Sequence, residues 1–484
     1  MTRNFARLLE ASARRSPDEP ALVWPDGALT FAGLHRRAEA LAGALTAKGV
    51  KPGDRIAVAI PNRWQFAVGL LAGWKLGATV APLDPLLKSD ERADVLADLA
   101  PAEMVDEAAV TDAGVESSSA TMTAPGLGEP HPDPRHPALI LYTSGSTGRP
   151  KGAVLSHEAL AFGNGSWAGP VLALTPGDVV LAALPLSHSF GLNGALLAPL
   201  LAGATVALVE RFSPEAALDA IRRHRVTVFL GVATMFRRIL DSPALARADL
   251  SSARIVVSGA APCPWELARE WRERTGIRIL RGYGMSELFR PISYLAGDAA
   301  ESPAAVGRPV PGVEVRVVDD SGRALACGEI GELWIKSPAA MQGYVTSHEE
   351  TREVLTADGW FKTGDLAMVA PDGAVEIVGR KRERILRGGY SVFPQEVEAV
   401  LLTHPAVADA AVVGIPHPEL GEEVAAFVVL RPGLEVLEAD LIGHCRSRLA
   451  GFKYPRRITA LDALPKSATG KVLKSALPLP SSPS

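Results

Sequence analysis

Residues Leu139 to Gly152 read LILYTSGSTGRPKG, an apolar strand that runs into a loop of small hydroxyl residues and glycines and ends on Lys151 and Gly152. The strand is predicted over Ala138 to Tyr142, which gives the loop a buried base. Gly145, Gly148 and Gly152 let the backbone approach an anion closely, and Thr143, Ser144, Ser146 and Thr147 add hydroxyl donors to the amides. One cation at the end of such a loop makes it a phosphate cradle. It is not the nucleotide loop that needs a Gly directly before its Lys, because Pro150 stands in that place.

Helical and strand patterns alternate on both sides of this loop. Before it, Leu34 to Lys48 is predicted helical, Arg55 to Ile60 a strand, Trp64 to Leu76 helical and Thr79 to Pro82 a strand. After it come strand Val179 to Leu184, helix Pro214 to His224, strand Val226 to Leu230, helix Thr234 to Leu240, strand Arg254 to Ser258 and helix Pro264 to Thr275. The alternation predicts an α/β fold of parallel sheets covered by helices. Pro101 to Pro137, rich in Ala, Pro, Ser and Asp, reads as a surface connection. From about Gly312 the period becomes two, at Val313, Val315 and Val317 and again at Ile330 to Ile335, which predicts hairpins in a small barrel-like lobe. A boundary near Arg382 follows. Beyond it a short α+β pattern has helices at Pro394 to Thr403 and Glu438 to Leu449, with strands at Ala408 to Ile415 and Glu423 to Leu430.

The composition narrows the function classes. With 484 residues, 47% hydrophobic and 21% charged, the chain is a folded protein of two or three domains. A net charge of −4 offers no global basic field for nucleic acid or an anionic membrane. Cys263, Cys327 and Cys445 are odd in number and far apart, so neither a disulfide framework nor a zinc site is expected. The start MTRNFARLLEASARRSPDEP carries no signal-peptide core and reads as a cytoplasmic beginning. Val179 to Val209 has no acidic residue, Lys or Arg, yet Pro185, His188, Asn193, Pro199 and Gly203 interrupt it; a buried strand, loop and helix is expected, not an integral membrane segment.

TSGSTGRPKG resembles the signature of the adenylate-forming superfamily, which holds acyl-CoA synthetases, adenylation domains of peptide synthetases and luciferases. Later segments support the resemblance in the same order: LPLSHSFG at Leu184, SGAAP at Ser258, YGMSE at Tyr283, WFKTGD at Trp360, GRKRERILRGGY at Gly379 and LPKSATGK at Leu464. The likeness spans nearly the whole chain. It implies that ATP and a carboxylate give acyl-AMP and pyrophosphate, with the acyl group then passed to a thiol. It further implies an AMP-binding domain over 1–379, a hinge at 380–382 and a mobile domain over 383–484.

The resemblance also assigns residues. Lys471 would bridge the acid carboxylate and the α-phosphate, and Glu287 would hold Mg2+ against the phosphates. Thr143 to Gly148, Lys151 and Ser286 would contact phosphate; Ser286 stands where Thr is commoner, and it keeps the hydroxyl. Asp365 would accept from the ribose hydroxyls, helped by Arg380, while Ser258, Gly259, Ala260, Ala261, Gly282, Tyr283 and Gly284 would line the adenine slot. Arg382 would be the hinge residue. Gly388 and Gly389 would let the pantetheine arm of CoA pass, with Lys453 assisting. His188 would sit beside the acyl carboxylate as a gate, and Phe190, Val232, Thr234, Met235, Gly259 and Met285 would border the acyl pocket. Arg290 is the one nearby cation for a second carboxylate, although a surface salt bridge is its expected role. Ser302 stands where malonate-activating relatives tend to have an Arg, which demotes a dicarboxylate. GVATM resembles a segment of fatty-acyl ligases, so a medium or long fatty acid is the expected substrate. The acceptor is expected to be CoA, with a carrier protein's phosphopantetheine as the alternative.

Overall fold

The computed structural model describes residues 4–113, 133–144, 150–299, 301–466 and 472–478. Two mostly parallel sheets form the N-terminal part. The first runs Ile279–Leu280, Ile255–Ser258, Val228–Gly231, Val179–Ala182, Thr205–Leu208, Pro20–Trp24, Gly27–Thr30, parallel throughout except for the last pair. The second runs Gly343–Tyr344, Pro150–Ser156, Pro137–Ser144, Thr79–Pro82, Arg55–Val58, Glu103–Val105, with only its first two pairs antiparallel. Strands such as Val228–Gly231 and Thr79–Pro82 are buried along their whole length, as a sheet covered on both faces requires. The helix Trp64–Lys75 packs directly on its sheet: a Cβ on Gly73 would lie 2.5 Å from Cγ2 of Val80.

The predicted elements are present with shifted ends. The first long helix begins at Phe31, earlier than the apolar period suggests, because Thr30 caps it by accepting from the Gly33 amide. The stretch Pro101 to Pro137 is more than a connection: Glu103–Val105 is an edge strand and Glu107–Asp112 a helix. The charge-free run Val179 to Val209 is strand, wide-turned helix at Gly191–Leu197, short helix Ala198–Ala202 and strand Thr205–Leu208. Among the described residues no helix is long and apolar enough to cross a membrane.

The antiparallel lobe contains Glu314–Val318, Gly331–Lys336, Phe361–Val369 and Val375–Arg380 in that order. Beside it Gly282–Met285, Phe289–Ser293 and Arg308–Pro309 make a three-stranded sheet. The C-terminal part pairs Tyr390–Val392, Ile385–Arg387, Gly421–Leu430 and Val407–His417 antiparallel and adds Arg457–Ala460 alongside Gly421–Leu430. One large buried cluster draws on residues from Phe5 to Val375 and another on Ile385 to Ile458.

Candidate active site

The strands that flank the glycine-rich stretch pair antiparallel, Thr143 with Lys151 and Ser144 with Pro150. Gly145, Ser146, Thr147 and Gly148 lie outside the described residues, as does Lys471. Gly152 is packed within the sheet: a Cβ there would meet Ile140 and Val345 at 2.9 Å. Lys151 Nζ lies 2.5 Å from Oε1 of Glu350 and 5.6 Å from the centre of the Tyr344 ring. Tyr344 arrives from almost two hundred positions away because Gly343–Tyr344 pairs with Val154 and Ala153.

Tyr344 connects the loop hairpin to YGMSE. Its hydroxyl donates to Oε1 of Glu287 at 3.1 Å, and the Glu287 carbonyl accepts from the Met341 amide at 2.8 Å. Glu287 is 8% exposed, and burial pushes its carboxyl above the ordinary value against the opposing pull of Arg380 and Lys151. Among the described residues no cluster of three or more His, Cys, Asp or Glu suits a metal ion. One buried carboxylate fits Mg2+ that arrives with ATP and keeps most of its water, not a resident metal. Glu287→Gln is expected to lower kcat/KM for MgATP about a hundredfold by deleting the charge while keeping the shape. Pyrophosphate exchange titrated with Mg2+ checks this, and an unchanged Mg2+ response would remove Glu287 from the metal.

Asp365 is built into the same place. It lies opposite Arg380 in the register of two adjacent strands, with Oδ1 2.9 Å from the Arg380 Nε. Oδ2 accepts from the Tyr283 hydroxyl at 2.5 Å. Thr363 fixes the backbone: its Oγ1 accepts from the Asp365 amide at 3.1 Å and donates to the Leu333 carbonyl at 2.7 Å. Burial and the Asp365 charge push the Tyr283 phenol well above its ordinary range, so it stays a donor. A cavity of ≈ 350 Å³ lined by Thr363, Gly364, Arg380, Lys381 and Arg382 opens beside this pair. Lys381 is anchored to Asp320 and Glu332 at 3.0 and 3.1 Å.

The expected acyl side collects at the carboxyl ends of parallel strands, where open α/β sheets bind ligands. Gly231 is in register with Ser258, which places Val232 beside Gly259. Val232 and Met235 are buried, Thr234 and Met285 half-buried. Phe190 packs on Trp167 with ring centres 5.8 Å apart, and a Cβ on Gly259 would lie 2.9 Å from Phe190. Ala260 holds φ 63, a left-handed conformation costly for Ala, and the half-buried Ala261 follows it. Gly282 and Gly284 leave room that the next strand fills: added Cβ atoms would lie 2.3 Å from Arg290 Nη2 and 2.1 Å from the Phe289 carbonyl oxygen. Ser286 is half-buried next to Glu287.

His188 has a partner that sequence reading missed. Its Nε2 lies 3.3 Å from Oδ2 of Asp84, and His188 holds the Asp84 carboxyl below its usual range. Asn62 was missed as well. Its Nδ2 donates to the Leu184 carbonyl at 2.7 Å and its Oδ1 accepts from the Leu186 amide at 2.9 Å, so it pins the segment that carries His188.

The residues expected at CoA have defined surroundings in the C-terminal part, and the expectation for Arg290 changes. Gly388 and Gly389, at φ +56 and +84, form the tight turn between Ile385–Arg387 and Tyr390–Val392, and that turn by itself requires glycine. Lys453 is gripped by Glu396 at 2.7 and 2.8 Å, which commits its charge within the C-terminal part. Arg290 makes no surface salt bridge: it is 7% exposed and donates to Ser293 Oγ, the Ser258 carbonyl and the Leu280 carbonyl.

Residues 9–345 match the family described as AMP-binding enzyme, and 396–471 match the AMP-binding enzyme C-terminal domain. Feruloyl-CoA synthase of an Amycolatopsis species is 38% identical over 96% of each chain. A long-chain-fatty-acid–CoA ligase of Yersinia pestis is 31% identical over 98% of this chain and 94% of its own. The crystal structure of ATP-bound MatB from Rhodopseudomonas palustris superposes with a TM-score of 0.91 at 32% identity, covering 98% of both chains. The chain belongs to the AMP-binding enzyme family and is an AMP-forming acid–thiol ligase that works with ATP, Mg2+ and CoA.

Proposed function

We propose that this chain converts a carboxylic acid to its acyl-adenylate with release of pyrophosphate and then transfers the acyl group to the thiol of CoA. The observation that carries the reading is the convergence of four distant segments: Lys151 lies over the ring of Tyr344, whose hydroxyl donates to Glu287, while Tyr283 and Arg380 meet at Asp365. Two similar sets, each a carboxylate with a tyrosine hydroxyl and a nearby cation, thus adjoin one strand-and-turn, Gly282–Met285 and the residues after it. In the proposed arrangement Asp365 takes the ribose hydroxyls, Glu287 the Mg2+ of MgATP, and Lys151 with the hydroxyls of Thr143 and Ser144 the phosphates. His188, held by Asp84, orients the acid, and Lys471 neutralises the oxyanions where acid meets α-phosphate. Residues 1–379 act as the adenylating body, 380–382 as the hinge around Arg382, and 383–484 as the part that changes pose between the two half-reactions.

The acid is the open variable, since relatives named for feruloyl and for long-chain fatty acids are both similar across the chain. A linear fatty acid rests on GVATM. The packing of Phe190 on Trp167, with Arg290 behind Gly259, crowds the route a long chain would take and favours a compact acid. A pyrophosphate-release screen over short, long, aromatic and doubly charged acids tests this reading, with CoA and a holo carrier protein compared as acceptors. Turnover confined to acids beyond ten carbons would overturn the compact acid, and acyl transfer only to the carrier would overturn CoA.

A further inference from the structure

Arg290 is the buried charge that the reaction as described does not use. Three of its five N–H groups are satisfied: Nε by Ser293 Oγ at 2.9 Å, Nη1 by the Ser258 carbonyl at 3.0 Å and Nη2 by the Leu280 carbonyl at 3.4 Å. All three acceptors are neutral. Arg281, the other buried arginine among the described residues, has an acid: it faces Glu301 at 3.7 Å. Among the described residues no carboxylate faces Arg290, and burial pushes its guanidinium down to about 9. Neutral carbonyls satisfy protons without balancing the charge, and burying an unbalanced cation is costly. Fastening the strand ends at Ser258 and Leu280 could be done by a neutral side chain at far smaller cost.

The position of the charge indicates what balances it. The guanidinium carbon is 5.2 Å from the centre of Trp167, whose ring packs on Phe190. A Cβ on Gly259 would touch both Phe190 at 2.9 Å and Arg290 Nη1 at 3.1 Å, so only a glycine backbone separates the charge from the proposed acyl pocket. The flat fork with two free N–H groups matches an oxyanion with two acceptor atoms. We propose that the acid activated here carries a second oxyanion, a carboxylate or a sulfonate, at the end away from the reacting carboxylate, and that Arg290 binds it. The proposal rests on the CoA-ligase reading and narrows its substrate.

The test uses matched pairs of acids, in each of which one member bears a terminal carboxylate or sulfonate and the other a methyl in its place. The full-length enzyme is expected to show kcat/KM at least about a hundredfold higher for one oxyanion-bearing member than for its methyl counterpart, measured by pyrophosphate release. Carboxylate and sulfonate arms separate the two headgroups. Arg290→Met is expected to erase that ratio, and Arg290→Lys to restore part of it. A wild-type enzyme that turns over only methyl-ended acids sinks the proposal and leaves the ligase reading intact. No pyrophosphate release with any acid sinks the ligase reading itself. If Arg290→Met fails to fold, the wild-type ratio and Arg290→Lys decide; an unaltered preference in folded Arg290→Met assigns Arg290 to strand fastening only.

Discussion

Lys471→Ala is expected to lower acid-dependent exchange of pyrophosphate into ATP by roughly a hundred- to a thousandfold, while transfer from supplied acyl-adenylate to CoA continues near the parent rate. A carboxylate attacking an α-phosphate brings two anions together, and a fixed cation helps most where charge accumulates in the transition state. Thioester formation from a finished adenylate has no such collision. The residues bracketing Lys471 are tied to the C-terminal core. Lys466 bridges to Val472, the Leu473 amide donates to the Pro465 carbonyl at 2.8 Å, and Lys466 Nζ is 2.6 Å from Asp409. Val472, Leu464 and Leu477 pack with Ala411 and Phe427. On the proposed assignment the lysine acts on the nucleotide only in the pose used for adenylation, so its loss should damage one half-reaction and spare the other. Equal loss of both would make Lys471 a structural residue.

The difference between what sequence reading finds and what it misses is physical. Strands such as Thr79–Pro82 and Ile255–Ser258 are buried on both faces, so their apolar runs are visible without any neighbour. The edge strand Glu103–Val105 has three residues with only Val105 buried, too short for a period, and is taken for loop. Tyr344 is hidden for a related reason: its strand has two residues, and its meaning lies in pairing with Ala153. Motif residues such as Glu287 and Asp365 are legible through the family resemblance, but their partners Tyr344 and Tyr283 are set by register between strands far apart in sequence. Asp84 and Asn62 carry no motif; each has its partner, the His188 segment, more than a hundred positions later. Arg290 is misjudged because charge suggests surface, whereas glycines at 259 and 282 create the slot that takes it inside.

Asp365→Ala is expected to weaken ATP binding at least about a hundredfold, the size associated with two hydrogen bonds to a charged acceptor. The substitution has a second effect that must be separated from the first. It leaves the Tyr283 hydroxyl and the Arg380 guanidinium, now bonded at 2.5 and 2.9 Å, without their acceptor in a buried place, so stability should fall too. Tyr283→Phe isolates that structural part by deleting one of the bonds while keeping the carboxylate and its Arg380 contact; its ATP affinity should stay within a few fold of the parent. The decisive comparison uses ATP against 2′,3′-dideoxy-ATP. The parent enzyme and Tyr283→Phe should both prefer ATP strongly, because the dideoxy nucleotide lacks the two hydroxyl donors that Asp365 would accept from. Asp365→Ala should bind the two nucleotides alike, since the coupling between carboxylate and hydroxyls is then already gone. Should Asp365→Ala keep the full preference for ATP, the carboxylate would be no more than the clasp that joins Tyr283 to Arg380, and the ribose would have to be held by other groups around the cavity at Thr363 and Gly364.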